Sequence, residues 1–185
     1  MSLVQEHHET TTEAPSPLTF DMKIEIVVLP VSDVDHAKRF YGALGWRLDL
    51  DFRKGEDYRV IQFTPPGSGC SIIFGKNVTT AAPGSARDHY LIVADLKLAR
   101  EELIRRGVEV SQPFHDAGGV FHHADDQCVV RGLNPTRQSY ASFASFKDPD
   151  GNVWLLQEIT ARLSPDLQLG DTRFTSQVLQ AIHGG

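Results

Sequence analysis

The stretch between Val110 and Ser142, SQPFHDAGGVFHHADDQCVVRGLNPTRQSYA, concentrates the side chains of this chain that could do chemistry. His115, His122 and His123 are imidazoles, which exchange protons near neutral pH. Asp116, Asp125 and Asp126 lie beside them. Arg131 and Arg137 offer planar guanidinium donors suited to a carboxylate or phosphate, and Tyr140 adds a phenol. Three readings are open. In the first, the stretch lines the mouth of a cavity that binds a polar or anionic small molecule. His115, His122 and Tyr140 are then the catalytic candidates, and Phe121, His123, Arg131 and Arg137 the ligand-binding ones. In the second, His115 with His122 or His123 and an aspartate holds one divalent metal. That spacing matches no compact zinc pattern, and adjacent histidines on a strand face opposite ways. In the third, it is a solvated surface loop.

The elements that must position these residues come from a repeat. Val31-Ser32-Asp33-Val34 is echoed by Val93-Ala94-Asp95-Leu96, and at the same offset Ala37 maps to Ala99 and Gly45 to Gly107. Such a repeat is one supersecondary unit used twice. Each copy opens with an apolar, β-branched run, Ile24 to Leu29 or Tyr90 to Val93, suited to a buried strand. An aspartate then caps a helix by accepting free N–H groups of its first turn. Ala37, Phe40, Tyr41 and Leu44, or Leu96, Ala99 and Leu103, form the apolar helix face. Gly45 or Gly107 ends the helix. In the first copy, strands follow at Trp46 to Leu50, Tyr58 to Phe63 and Cys70 to Phe74. In the second they begin at Val108 to Val110 and continue at Ser142 to Phe146 and Val153 to Ile159. Asp148-Pro149-Asp150-Gly151-Asn152 is the tight turn between the last two. Gln157 shares the facing of Leu155 and is a further ligand-binding candidate, whereas Glu158 faces the other way and reads as structural.

The 185 residues carry a formal charge of −6 and no long basic run, which argues against nucleic acid or an acidic membrane surface as partner. No apolar run approaches the ~18 residues that span a bilayer. Cys70 and Cys128 have no metal or redox spacing and read as reduced thiols of a cytoplasmic protein. Residues 1–20 read as a polar, mobile tail and 21–160 as one domain, with modules at 21–76 and 86–160. Residues 161–185 form an extension, in which Phe174, Val178, Leu179 and Ile182 suggest an amphipathic helix over 172–183.

The strand, the V-x-D, the helix ending in glycine, the three strands and the closing DPDGN turn together resemble the vicinal oxygen chelate superfamily of glyoxalases, bleomycin-resistance proteins and extradiol dioxygenases. The resemblance covers roughly residues 22–160. It implies an α+β fold of two βαβββ modules, curved as a mixed sheet into a half-barrel around a ligand cavity. It also implies a homodimer, since family members commonly dimerise. Metal-dependent members hold one divalent ion with His, Gln or Glu from strands of both modules. Carried onto this chain, the four ligand positions fall on Ile26, Ile73, Asp88 and Leu155. Three aliphatic side chains and one carboxylate cannot hold a transition metal, which needs three or four N, O or S ligands. A slip of one residue would offer Glu25 and His89, but on the opposite strand faces. The expectation is a protein that binds a small polar or aromatic molecule without the usual metal. A metal-dependent lyase, isomerase or dioxygenase using the loop histidines, and an interaction protein with no ligand, are the alternatives.

Overall fold

Two aspartates start the two helices found among the described residues, which in the computed structural model are 20–117, 128–161 and 175. The Asp33 carboxylate accepts the His36 N–H at 2.8 Å and opens α1 (Val34–Ala43); Asp95 accepts the Leu98 N–H at 2.9 Å and opens α2 (Leu96–Arg105). Both helices give way to glycines with left-handed backbone, Gly45 at φ 79° and Gly107 at φ 85°, a conformation that costs other residues a Cβ clash.

Around α1, β1 (Ile26–Val28), β2 (Arg47–Lys54), β3 (Tyr58–Thr64) and β4 (Ser71–Lys76) form a sheet in the order β1-β4-β3-β2. Around α2, β5 (His89–Val93), β6 (Phe114–Asp116), β7 (Val129–Arg131), β8 (Phe143–Lys147) and β9 (Val153–Glu158) form a second, ordered β5-β9-β8-β6-β7. The first strand of each unit runs parallel to its last, and the remaining pairs are antiparallel. This is the α+β arrangement of two βαβββ-type modules.

The second module departs from the sequence expectation at its middle. Val110 makes only an isolated bridge to Phe146, where a strand over Val108 to Val110 was expected. Regular pairing with β8 comes later, at Phe114, and the chain adds the hairpin of β6 and β7. Pro113, just before β6, has no N–H to donate to a ladder, which accounts for the break.

Cross-strand partners share a sheet face, so the register sorts the side chains. One face of the first sheet presents Ile61, Phe63, Ile72 and Phe74; one face of the second presents Ala144, Phe146, Trp154 and Leu156. All eight belong to a single core, with Ala37, Tyr41, Leu44 and Trp46 from the first module and Leu96 and Val108 from the second. The Tyr41 ring lies 5.4 Å from Phe74 and 6.3 Å from Trp154, and Trp46 meets Trp154 edge-on at 5.3 Å. Because these two faces share one core, the opposite faces of both sheets look outward.

Polar contacts lock the modules together. The Tyr41 hydroxyl donates to Asp148 Oδ2 at 2.8 Å, and Asn152 Nδ2 donates to the Pro30 carbonyl at 3.0 Å. Asp150 Oδ1 accepts the Ser32 N–H at 2.8 Å. Gly84 lies so close that a Cβ there would meet the Asp150 carbonyl at 2.0 Å. The DPDGN turn is therefore the fastener between modules as well as a hairpin.

Candidate functional site

Part of the exposed apolar surface lies on the two outward faces. On the first sheet Ile26 and Val28 are each 41% exposed, and Leu50 and Phe52 are also exposed. Leu50 pairs with Gln62 and Phe52 with Val60; Gln62 pairs with Ile73, and Ile73 with Val28. These residues therefore share one face. β2 slips register between Leu48 and Leu50, a β-bulge that leaves Asp49 out of the ladder.

A polar cluster sits within this apolar face. Asp49 accepts from the Thr64 hydroxyl and from Arg47 Nε. Thr64 Oγ1 and Ser71 Oγ lie 2.8 Å apart, and Gln62 Nε2 donates to Ser71 Oγ at 3.2 Å. Arg47 first, and then Thr64, hold the Asp49 carboxyl below its ordinary range, against an opposing effect of burial. Thr64 and Ser71 are buried, while Gln62 is half-buried. The sequence reading missed this cluster. Its one local signal was Gln62 between Ile61 and Phe63, where strand alternation turns a polar side chain away from the core.

On the second sheet the outward face is more aromatic, with Tyr90 and Ile92 exposed and Phe143 and Leu155 buried. Tyr90 pairs with Leu155, Ile92 with Gln157, and Gln157 with Phe143. Phe143 pairs with Phe114, and Phe114 with Arg131. The Phe114 ring stacks on Phe143 at 5.7 Å, and Tyr90 approaches Phe143 edge-on at 6.5 Å. Burial first, then the Asp88 charge, raises the Tyr90 phenol, which stays protonated at neutral pH.

The candidate residues divide accordingly. Arg131 and Gln157 share the outward face of the second sheet, where Gln157 Nε2 donates to the Tyr140 carbonyl at 2.8 Å. Tyr140 has left-handed backbone at φ 72°, and its N–H donates to the Glu158 carbonyl. Arg137 makes a two-pronged ion pair with Glu158, Nη2 lying 2.8 and 2.9 Å from the two carboxylate oxygens. Glu158 is fully buried and its Oε2 also accepts the Leu96 N–H at the start of α2. His115 pairs with Val130, one residue out of phase with Phe114 and Arg131, so it takes the other face of the hairpin; its Nδ1 lies 2.9 Å from the Gly132 carbonyl oxygen. Phe121, His122 and His123 lie outside the described residues, as does the segment 172–183 apart from Thr175.

The residues at the family's metal positions do not fit a metal. Ile73 and Leu155 take the outward faces, as does Ile26, two residues from Val28 along β1; Asp88 precedes β5. His89, which a slipped register would recruit, packs edge-on against Trp154 at 5.2 Å within the core. Among the described residues no three of His, Cys, Asp and Glu converge as a metal site. Cys70 and Cys128 are free thiols, and burial pushes Cys70 up. A separate groove of about 950 Å³ runs on the helix side between His36, Phe40, Val108 and Phe146, and none of the described candidate site residues lines it. Among the described residues, no helix is long and apolar enough to cross a membrane.

A family model described as the glyoxalase/bleomycin resistance protein/dioxygenase superfamily matches residues 23–156. Among solved structures, the chain is similar to TnmS3, an antibiotic binding protein from Streptomyces sp. CB03234. That match has 28% identity and a TM-score of 0.56, covering 77% of this chain and 99% of that one. A glyoxalase/bleomycin resistance protein from the same organism matches at 29% identity and TM-score 0.53, covering 74% and 100% of the two chains. A superfamily member from Sphaerobacter thermophilus, at 23% identity and TM-score 0.54 over 75% of this chain and 98% of that one, shares the fold. No curated protein matches.

Proposed function

The chain belongs to the glyoxalase/bleomycin resistance protein/dioxygenase superfamily, and on that premise we propose that it binds a small polar or aromatic molecule between two copies of itself, without the superfamily's usual metal. The observation that carries this reading is the pair of outward sheet faces. Both are apolar or aromatic with a few placed polar groups, the usual make-up of a ligand site. They point away from a shared core, so within one chain they cannot cover each other. A second copy, setting its second-module face against the first-module face of its partner, encloses a cavity and removes the exposed apolar area from water. The aliphatic side chains at Ile26, Ile73 and Leu155 support binding rather than metal chemistry. The description of TnmS3 as an antibiotic binding protein agrees with this reading.

Sedimentation velocity, elemental analysis and calorimetric titration with 2-naphthol test it together. The expected results are a dimer, no stoichiometric transition metal and saturable 2-naphthol binding. Ile26→Asp should yield monomers and lose the binding. One tightly held transition metal per chain, or a monomer that binds 2-naphthol as well as before, would overturn the reading.

A further inference from the structure

The polar cluster on the first sheet has only one consistent arrangement of its protons. Asp49 is ionised and can only accept. The Thr64 hydroxyl has a single proton, and it goes to Asp49 Oδ2. Thr64 Oγ1 and Ser71 Oγ are 2.8 Å apart and need a proton between them. Only the Ser71 proton remains, so Ser71 donates to Thr64. Ser71 is then left with lone pairs alone toward Gln62, 3.2 Å away. The Gln62 atom there must be the donor, Nε2; a flipped amide would set two acceptors against each other.

The chain runs Gln62 to Ser71 to Thr64 to Asp49, with Arg47 closing the far end, and Gln62 also bonds to Asp49 directly. Each bond polarises the next. The buried end is saturated, and no described residue donates to Gln62 Oε1. Neighbouring side chains on this face, Val60, Leu50 and Ile73, offer no hydrogen bond. The face therefore presents one neutral acceptor of settled orientation, between apolar side chains and the Asp49–Arg47 pair.

We infer that Gln62 determines specificity in the proposed cavity: its carbonyl selects apolar molecules that carry a phenol or N–H donor over matched molecules that carry none. Ser71, Thr64 and Asp49 are positioning residues that act through it. The inference rests on the cavity reading above. A ligand without the donor leaves Oε1 desolvated and unpaired, which is the usual source of strong discrimination by a polar group in an apolar site.

The probes are 2-naphthol and 2-methoxynaphthalene, titrated calorimetrically into the full chain. They share a ring system and differ in the donor. The wild-type protein should prefer 2-naphthol about five- to tenfold, the worth of one net hydrogen bond. Gln62→Leu should bring that ratio to about one while leaving 2-methoxynaphthalene affinity within about twofold. Thr64→Val combined with Asp49→Ala, which removes both the relay and the carboxylate that hold the amide, should lower the ratio with Gln62 still present. That last result separates positioning from simple contact. A Gln62→Leu ratio equal to wild type, or a wild type that does not discriminate, would overturn the inference and leave the cavity standing. Binding of neither naphthalene by wild type would remove the cavity reading, and this inference with it.

Discussion

Tyr41→Phe removes one oxygen from the fastener between the modules. That hydroxyl donates to Asp148 Oδ2 at 2.8 Å and accepts from Trp154 Nε1 at 3.2 Å. Tyr41 is fully buried, with Asp148 at 5% and Trp154 at 3% exposure, so water cannot replace either bond without rearrangement. Burial first, then the Asp148 charge, raises the Tyr41 phenol far above its ordinary range, so it remains a donor at every pH of interest. A hydrogen bond to a charged group contributes about 1.5–3 kcal/mol, and an orphaned buried N–H costs about 1–3 kcal/mol more. Asp148 keeps the Asn152 side chain on Oδ2 and the N–H groups of Asp150 and Asn152 on Oδ1, which moderates the first figure. The ring packing survives unchanged. The expected loss is roughly 2–4 kcal/mol, or about 5–15 °C in Tm for a chain of this size. Urea unfolding followed by tryptophan fluorescence measures it, with the slope unchanged if the transition stays two-state. In combination with Trp154→Phe the total loss should be less than the sum of the two single losses, because the orphaned indole N–H goes with the tryptophan. A loss below about 1 kcal/mol would show that the hydroxyl does not hold the modules together.

Two other perturbations follow from the same structure. Arg137→Met should destabilise the fold by about 2–3 kcal/mol, because it leaves the buried Glu158 carboxylate with little beyond the Leu96 N–H; the half-exposed arginine keeps the figure below the ~3–5 kcal/mol of a fully buried pair. The check is denaturant unfolding, and an Arg137→Met protein of wild-type stability with reduced ligand affinity would instead return Arg137 to the ligand site. At Asp51, Arg59 and then Lys38 hold the carboxyl below its ordinary value of 3.8, outweighing burial. A depressed carboxyl stabilises the fold fully above the unfolded value and loses that contribution progressively as pH falls from there through the lower folded value. Wild type and Asp51→Asn should therefore differ in unfolding free energy at pH 7 and converge below about pH 3.8; a constant gap across that window would contradict the assignment.

The fold was largely legible because its signals are local. Asp33 and Asp95 cap helices by bonds within three residues, Gly45 and Gly107 stop them by backbone permissiveness, and alternation sets strand facing. The same locality made the family ligand positions countable, and their outward facing at Ile26, Ile73 and Leu155 came from period-two geometry. The β6–β7 hairpin was not legible. Its strands are three residues each, too short for a pattern, and they depend on β8 for pairing. Nor was the site. The sequence drew attention to a loop crowded with titratable side chains, since residue type is visible there and partners are not. Arg137 reads in the sequence as an anion clamp; its partner Glu158, twenty-one positions away, accepts from two of its three guanidinium nitrogens.

From the sequence alone came two modules, their strand facing and the aliphatic character of the metal positions, because capping, turns and alternation operate over a few residues. Only the tertiary structure decided that the helix faces of both sheets merge in one core and leave the other faces outward. Only it joined Gln62, Ser71, Thr64 and Asp49 through a bulge and two strand pairings. Those outcomes depend on contacts between segments far apart in the chain, where no local pattern records which partner each side chain meets.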